Sequence, residues 1–182
     1  MRVSIRVALL AAFITAISLV SICIATFTCH WIEVSWGPLT SNGGLFKQKS
    51  CGIFYSDVTS TPVWNTIALI CFCIAIGCQC LTILHVVISI IVRHQHVLNV
   101  TSGLIGLATF LLFAGTLTFL IGAIIYFNDK ENLIPDSSYS FGYSFILGCI
   151  ATVISCIASG PIGHGHKRIR DCGDCECEGF YY

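Results

Sequence analysis

Charge is what this sequence has least of. Asp, Glu, Lys and Arg make up 10% of its 182 residues, where a soluble domain carries about 25%. So few ionic side chains cannot clothe a water-exposed surface, which excludes an ordinary soluble globule. Acidic and basic residues balance at nine each, so no basic face offers itself to nucleic acid. The means of catalysis are missing as well. Glu33, Asp57, Asp129, Glu131 and Asp136 are scattered among turn residues. No glycine-rich loop is followed by the Lys of a phosphate cradle. The long apolar runs hold no Asp, Glu, Lys or Arg, so no proton relay crosses them. Neither enzymatic activity nor a cofactor is expected.

What is there instead is apolar sequence, 55% of the chain. A helix of about 20 residues crosses a hydrocarbon core of roughly 30 Å. Four runs are long enough, at about 7–28, 65–92, 102–127 and 141–162. They predict an all-α transmembrane fold, an antiparallel four-helix bundle over residues 1–163, followed by a tail at 164–182. The first run follows Arg2 and Arg6, a pattern shared with cleaved signal peptides. Its length and the lack of a small-x-small cleavage site favour an uncleaved anchor. The second run holds Cys71, Cys73, Cys78 and Cys80. Their spacing invites zinc, but positions two apart share no helix face, so buried free thiols are expected. Gln79 and His85 are its polar residues, expected to bond inside the bundle.

In the third run Thr118 and Gly122 form a small-x-x-x-small pair among the glycines at 103, 106 and 115. It reads as packing within one bundle rather than as a dimer contact. In the fourth, Gly148, Thr152 and Cys156 share a stripe, with Ala151, Ser155 and Ser159 on the next. Pro161 and Gly163 are expected to end that helix.

Basic residues predict the topology. With both termini inside, Arg2, Arg6, Arg93, Lys167, Arg168 and Arg170 are cytoplasmic, and Lys47, Lys49 and Lys130 are outside. The split is six to three, which favours this orientation in the plasma membrane. The sequon Asn99-Val100-Thr101 then lies on the cytoplasmic side and stays unmodified. Residues 29–64 become a long extracellular loop. Residues 31–36 alternate at first like a half-exposed strand. Ser41-Asn42-Gly43-Gly44 reads as a turn cluster, and residues 45–55 as one or two further strands. A small antiparallel sheet in this first extracellular loop is the expected result, its edges open to other chains. Cys29 and Cys51 both lie near the oxidising side. Whether they bridge depends on how close their Cα atoms come, and both states stay open.

Trp31, then Gly44-Leu45-Phe46, then Cys51, on a four-span chain with a long first and a short second outer loop, resembles one known group. It is the superfamily of claudins, peripheral myelin proteins and epithelial membrane proteins, whose loop signature is Trp, Gly-Leu-Trp, Cys and a second Cys. Asp136-Ser-Ser-Tyr139-Ser-Phe141-Gly142-Tyr143-Ser-Phe145 is similar to the stretch opening the fourth span of the myelin and epithelial members. The chain departs from the pattern in places. Phe46 replaces the second Trp, and four residues rather than two separate it from Cys51. No second Cys follows in the loop, which leaves Cys29 as the candidate partner. The basic residue of claudins near the start of the second span is absent around residues 64–69.

The resemblance implies a divergent, non-enzymatic member acting in cell–cell contact, junctions or membrane organisation through its first loop. Its implied partners are the lipid bilayer and itself or related tetraspan proteins, in cis or in trans. The alternative is an auxiliary subunit of an ion channel or receptor, a role relatives also fill. As a pore lining, Glu33, Lys47, Lys49 and Asp57 sum to zero and predict no ion preference.

The tail carries its own signals. Lys167, Arg168 and Arg170 suit anionic lipid, at roughly 1 kcal/mol each near the surface. Cys172, Cys175 and Cys177 read first as sites of lipidation. With His164 and His166 they also resemble a metal site, and unmodified thiols are the third reading. Phe180-Tyr181-Tyr182 suits a cytoplasmic scaffold that adds a terminal strand to its own sheet, or is simply a free chain end.

Overall fold

A computed structural model describes the backbone of residues 2–36, 39–45, 62–92, 97–131 and 137–173. It describes side chains within 9–35, 42–45, 62–91, 100–128 and 138–160. The described elements run α1 (Arg2–Phe27), β1 (Ile32–Trp36), β2 (Leu39–Gly43), α2 (Val63–Val92), α3 (Val97–Glu131), β3 (Ser137–Phe141) and α4 (Tyr143–Gly173). Each helix contains a segment long and apolar enough to cross a membrane: Leu9–Phe27, Val63–Ile91, Val100–Asn128 and Tyr143–Gly160.

Outside, the bundle is large and apolar; inside, alanines and hydroxyl side chains lie between clusters of larger apolar residues. Phe13 and Phe110 are 65% and 66% exposed, which water would penalise and acyl chains do not. Ala11, Ala25, Ala75, Ala123, Ala151 and Ala158 are fully buried. Lipid tails are as apolar as Leu, so helices there associate through close backbone approach and hydrogen bonds. Gly115 and Gly122 of α3 show the first device. A Cβ on Gly115 would lie 3.1 Å from Phe72, and one on Gly122 would overlap the Trp64 ring. Gly122, of the pair with Thr118, thus serves packing inside one chain.

Hydrogen bonds show the second device. Ser18 of α1 donates to the Ala151 carbonyl of α4 at 2.8 Å, and Gln79 of α2 donates to Ser18 Oγ at 2.9 Å. The Thr109 and Ser155 hydroxyls meet at 2.8 Å between α3 and α4. His85 Nδ1 lies 3.2 Å from Thr101 Oγ1 between α2 and α3. Four of the helix–helix interfaces therefore carry a polar tie.

Two core clusters set the directions. Ile22, Phe72 and Phe119, with Phe145 beside them, mark one end, and Ala11, Val86, Ile105 and Ala158 the other. Each helix runs opposite to the one before it. The four together form the expected antiparallel bundle, in which α1 lies between α4 and α2, and α3 packs on the same two.

The sheet is antiparallel with strand order β2-β1-β3. Ile32 and Val34 of β1 face the bundle and are buried, while Glu33 and Ser35 alternate outward, as a strand with one wet face requires. Two local expectations need correction, and a third is not reached. Ser41-Asn42-Gly43 is strand rather than turn, with Val34 opposite Ser41 and Ile32 opposite Gly43. Pairing with β1 satisfies a backbone that the turn-forming residue types alone would leave free. The third described strand comes from the second loop; the strands expected at 45–55 lie almost wholly outside the described residues. Finally, α4 passes through Pro161 and Gly163 to Gly173. A proline removes one backbone donor and can kink a helix without ending it.

Candidate functional site at the sheet end of the bundle

The site is built around the end of α1. The last carbonyls of a helix have no partner within it. Thr28 bonds back to the Ile24 carbonyl through its N–H at 3.1 Å and its hydroxyl at 2.8 Å. The chain then reverses, and Trp31 folds over the helix end. Its indole Nε1 donates to the Ala25 carbonyl at 2.6 Å, so the buried ring brings its own hydrogen bond. Trp31 is fully buried. Its ring centroid lies 5.4 Å from Phe72 on α2, 4.7 Å from Phe119 on α3 and 6.2 Å from Phe145 on α4. A Cβ on Gly148 would stand 3.1 Å from the same indole. One side chain thus meets all four helices. A signature Trp in a polar loop reads as a surface group from sequence; here it is the plug of the bundle.

Backbone bonds then dock the sheet. Trp31 donates its N–H to the Gly43 carbonyl at 2.9 Å and accepts from Gly142 N–H at 3.0 Å. The His30 carbonyl accepts from Ser144 N–H at 3.0 Å, which satisfies one of the free donors at the start of α4. Beside it the Thr28 and Ser144 hydroxyls meet at 2.6 Å. Gly142 is required here, because a Cβ would overlap the His30 carbonyl. Gly44 answers to the same logic on the other side, with a Cβ coming within 3.0 Å of the Cys29 Cα. Leu45 is buried, and its carbonyl accepts from Asn65 Nδ2 at 3.0 Å. Trp31, Gly44 and Leu45 are therefore brought together as a fastening.

Among the described residues, the outward face of the sheet is polar, with Glu33 as its carboxylate. Glu33 stands opposite Asn42 on β2 and Ser140 on β3. His30 stacks on Tyr143 at 4.7 Å, and its Nδ1 lies 3.8 Å from Glu33 Oε1, too far for a hydrogen bond. Among the described residues no three His, Cys, Asp or Glu side chains converge on a site that could hold a metal.

The cysteines divide. Cys71, Cys73, Cys78 and Cys80 are free thiols, Cys78 buried and Cys73 and Cys80 turned outward. Cys29 is disulfide-bonded, and its partner lies outside the described residues. Phe46, Cys51, Cys175 and Cys177 also lie outside them. Lys167, Arg168, Arg170 and Cys172 sit on the last turns of α4, with backbone alone described. Sequence reasoning missed Phe72, Phe119 and Phe145, since apolar residues in apolar runs carry no periodic signal of which one meets the plug. It began the fourth span at 141 and did not read Ser137–Phe141 as a strand of the sheet. The alternation Ser-Tyr-Ser-Phe was the available sign.

A family model described as tight junction protein, claudin-like, matches residues 1–170. No curated protein matches the chain.

Proposed function

This chain belongs to the claudin-like family of tight junction proteins, and from that premise we propose that it is a plasma-membrane contact protein whose sheet end faces the cell exterior. It works without catalysis. The single observation that supports this best is Trp31 at the meeting point of four helices. The described sheet, hung on that plug and bonded through His30, Gly142 and Gly43, is held in one orientation, as recognition between surfaces needs. Both termini are cytoplasmic in this reading, in keeping with the six-to-three split of basic residues. The partners are copies of the chain or related tetraspan proteins.

Cys51 is the partner proposed for Cys29. Cys172 lies near the far end of α4, a helix of 31 residues and so about 45 Å long at 1.5 Å per residue. Cys175 and Cys177 follow within a few residues, each spanning at most about 3.6 Å, so none can return to the sheet end. Cys51 follows Leu45 closely, and Leu45 adjoins the Gly44–Cys29 contact. In the tail, Cys172, Cys175 and Cys177 are proposed to carry acyl chains, with Lys167, Arg168 and Arg170 against anionic headgroups.

The test is where the protein gathers. Tagged copies in two cell populations should concentrate where two expressing cells touch and not against a non-expressing neighbour. Tags at either terminus should stain only after permeabilisation. Uniform distribution with a channel co-purifying in fixed ratio would instead establish the auxiliary-subunit role.

A further inference from the structure

Arg2 and Arg6 stand at one end of the sequence, and Lys167, Arg168 and Arg170 near the other. The fold brings these positions to one end of one helix pair, the end away from the sheet. Helices α1 and α4 run antiparallel and keep one register. Thr28 meets Ser144 at 2.6 Å. Ser18 bonds to the Ala151 carbonyl at 2.8 Å. Ala11 and Ala158 share the second core cluster. Both helices then continue, α1 to Arg2 and α4 to Gly173. Carried on from Ala11 and Ala158, the same register sets Arg6 level with Gly163 and Arg2 level with Lys167. Positions four apart share a helix face, so Arg2 and Arg6 lie on one face of α1.

Asp171 is the one acidic residue on the described backbone of that end. Arg93 also belongs to this end, and Asp174, Glu176 and Glu178 follow α4, but all four lie outside the described residues. The apolar runs of the two helices, at 7–28 and 141–162, finish at the same level. Arg6 therefore stands at the edge of the hydrocarbon. Arg2, Lys167, Arg168 and Arg170 stand about 7–12 Å beyond it, at 1.5 Å per residue. Headgroups occupy about 5–8 Å on each side of a bilayer. The outer four positions are thus level with the top of that layer or above it. Orienting the spans needs only the number of basic residues on one side. It does not need them level with one another on adjoining helices.

We propose that the ends of α1 and α4 together form a site for the polyphosphorylated inositol headgroup of an inner-leaflet lipid. Charge and height select this occupant. A headgroup with a single phosphate keeps its charge within the layer, at the level of Arg6. An inositol ring bearing further phosphates carries charge above it, at the level of Arg2, Lys167, Arg168 and Arg170. Arg suits phosphate oxygens through paired N–H donors. The site goes beyond attraction of the tail cluster to anionic lipid, because the two N-terminal arginines are half of it. It rests on the reading that both termini are cytoplasmic, where anionic lipids gather.

The full-length protein in detergent is titrated with dioctanoyl phosphatidylinositol bisphosphate, dioctanoyl phosphatidylserine and soluble inositol trisphosphate, with bound species counted by native mass spectrometry. The bisphosphate lipid should bind more tightly than the other two. Arg2→Gln with Arg6→Gln should weaken it about thirtyfold, the scale of two basic residues at a charged surface. Arg168→Gln with Arg170→Gln should do the same, with unfolding temperatures unchanged. Arg2→Lys with Arg6→Lys keeps the charge and should lose far less. A loss as large as that of the Gln pair would show that charge does not hold the ligand. If only the Arg168 and Arg170 pair matters, the tail acts alone and the joint site is wrong. Equal binding of the serine lipid overturns the polyphosphate assignment, and equal binding of inositol trisphosphate overturns the membrane source. Binding in detergent does not depend on how the chain inserts. Absent binding with both terminal tags inside therefore fails this site alone, whereas tags that stain on intact cells fail the topology.

Discussion

The Trp31 indole donates a 2.6 Å hydrogen bond to the Ala25 carbonyl, six residues earlier in the chain. That bond joins two tasks in one side chain, closing the open end of α1 and filling the space where the four helices meet. Removing it should be costly in two separable parts. Trp31→Phe keeps much of the ring but leaves the Ala25 carbonyl with a weaker partner, the Thr28 hydroxyl at 3.2 Å. A loss of about 1–3 kcal/mol is expected for a buried group deprived of its hydrogen bond. Trp31→Ala adds the cavity, for about 3–5 kcal/mol in all. Thermal unfolding of the purified protein in detergent should rank native, Phe and Ala in that order. Equal losses for both variants would mean the ring volume contributes nothing.

Gly142 and Gly106 separate a glycine needed for close approach from one that is not. Gly142→Ala drives a methyl into the His30 carbonyl, so the junction of β3 with α4 must shift, at about 1–3 kcal/mol for overpacking. Gly106 has nothing within 4 Å of an added Cβ. Its alanine variant should stay within about 1 kcal/mol of the parent, on the stabilising side if helix propensity decides. Surface delivery and unfolding temperature together check the contrast.

Ser18 and Gln79 form a chain of bonds ending at the Ala151 carbonyl, and Gln79 Oε1 is buried without a partner. Ser18→Ala orphans the amide nitrogen as well. Expect a loss near 1–2 kcal/mol, the scale of interhelical bonds in membranes. Gln79→Leu removes the donor together with an acceptor that was never paired, so it should cost less than Ser18→Ala. In the double variant, Gln79→Leu should recover part of the Ser18→Ala loss. Strict additivity of the two changes, measured by a double-mutant cycle, would show that they do not communicate.

The proposed Cys29–Cys51 bridge makes a symmetrical prediction. C29S, C51S and the double variant should unfold alike, about 2–4 kcal/mol below the parent. Mass spectrometry of the unreduced protein should find one peptide joining the two positions. Unequal single variants would point to a different partner for Cys29.

For the tail, changing Cys172, Cys175 and Cys177 to Ser should abolish hydroxylamine-sensitive labelling by a fatty-acid probe and leave membrane insertion intact. The effect belongs to lateral sorting, because four spans already anchor the chain. If the parent takes no label and binds zinc through these thiols instead, the acylation proposal is lost.

The sequence by itself determined the solvent of this protein. Runs without charge, long enough to cross a bilayer, leave helices as the economical way to satisfy every backbone donor and acceptor within the segment. Their number, with short links between most of them, predicted the antiparallel bundle. The loop pattern of Trp31, Gly44, Leu45, Phe46 and Cys51 predicted the family. What only the tertiary structure decided is which residues meet. The run 41–44 carries turn residue types, yet it is strand because β1 offers its backbone a ladder. Pro161 reads as a stop, yet α4 continues past it. Trp31 lies in a polar loop, yet it is fully buried, because α1 ends beneath it and three phenylalanines from three other helices meet its ring. Helical spans of uniform hydrophobicity carry no amphipathic stripe to say which face turns inward. That choice falls to the glycines, alanines and hydroxyls that let backbones approach, and their partners are set by distance in space.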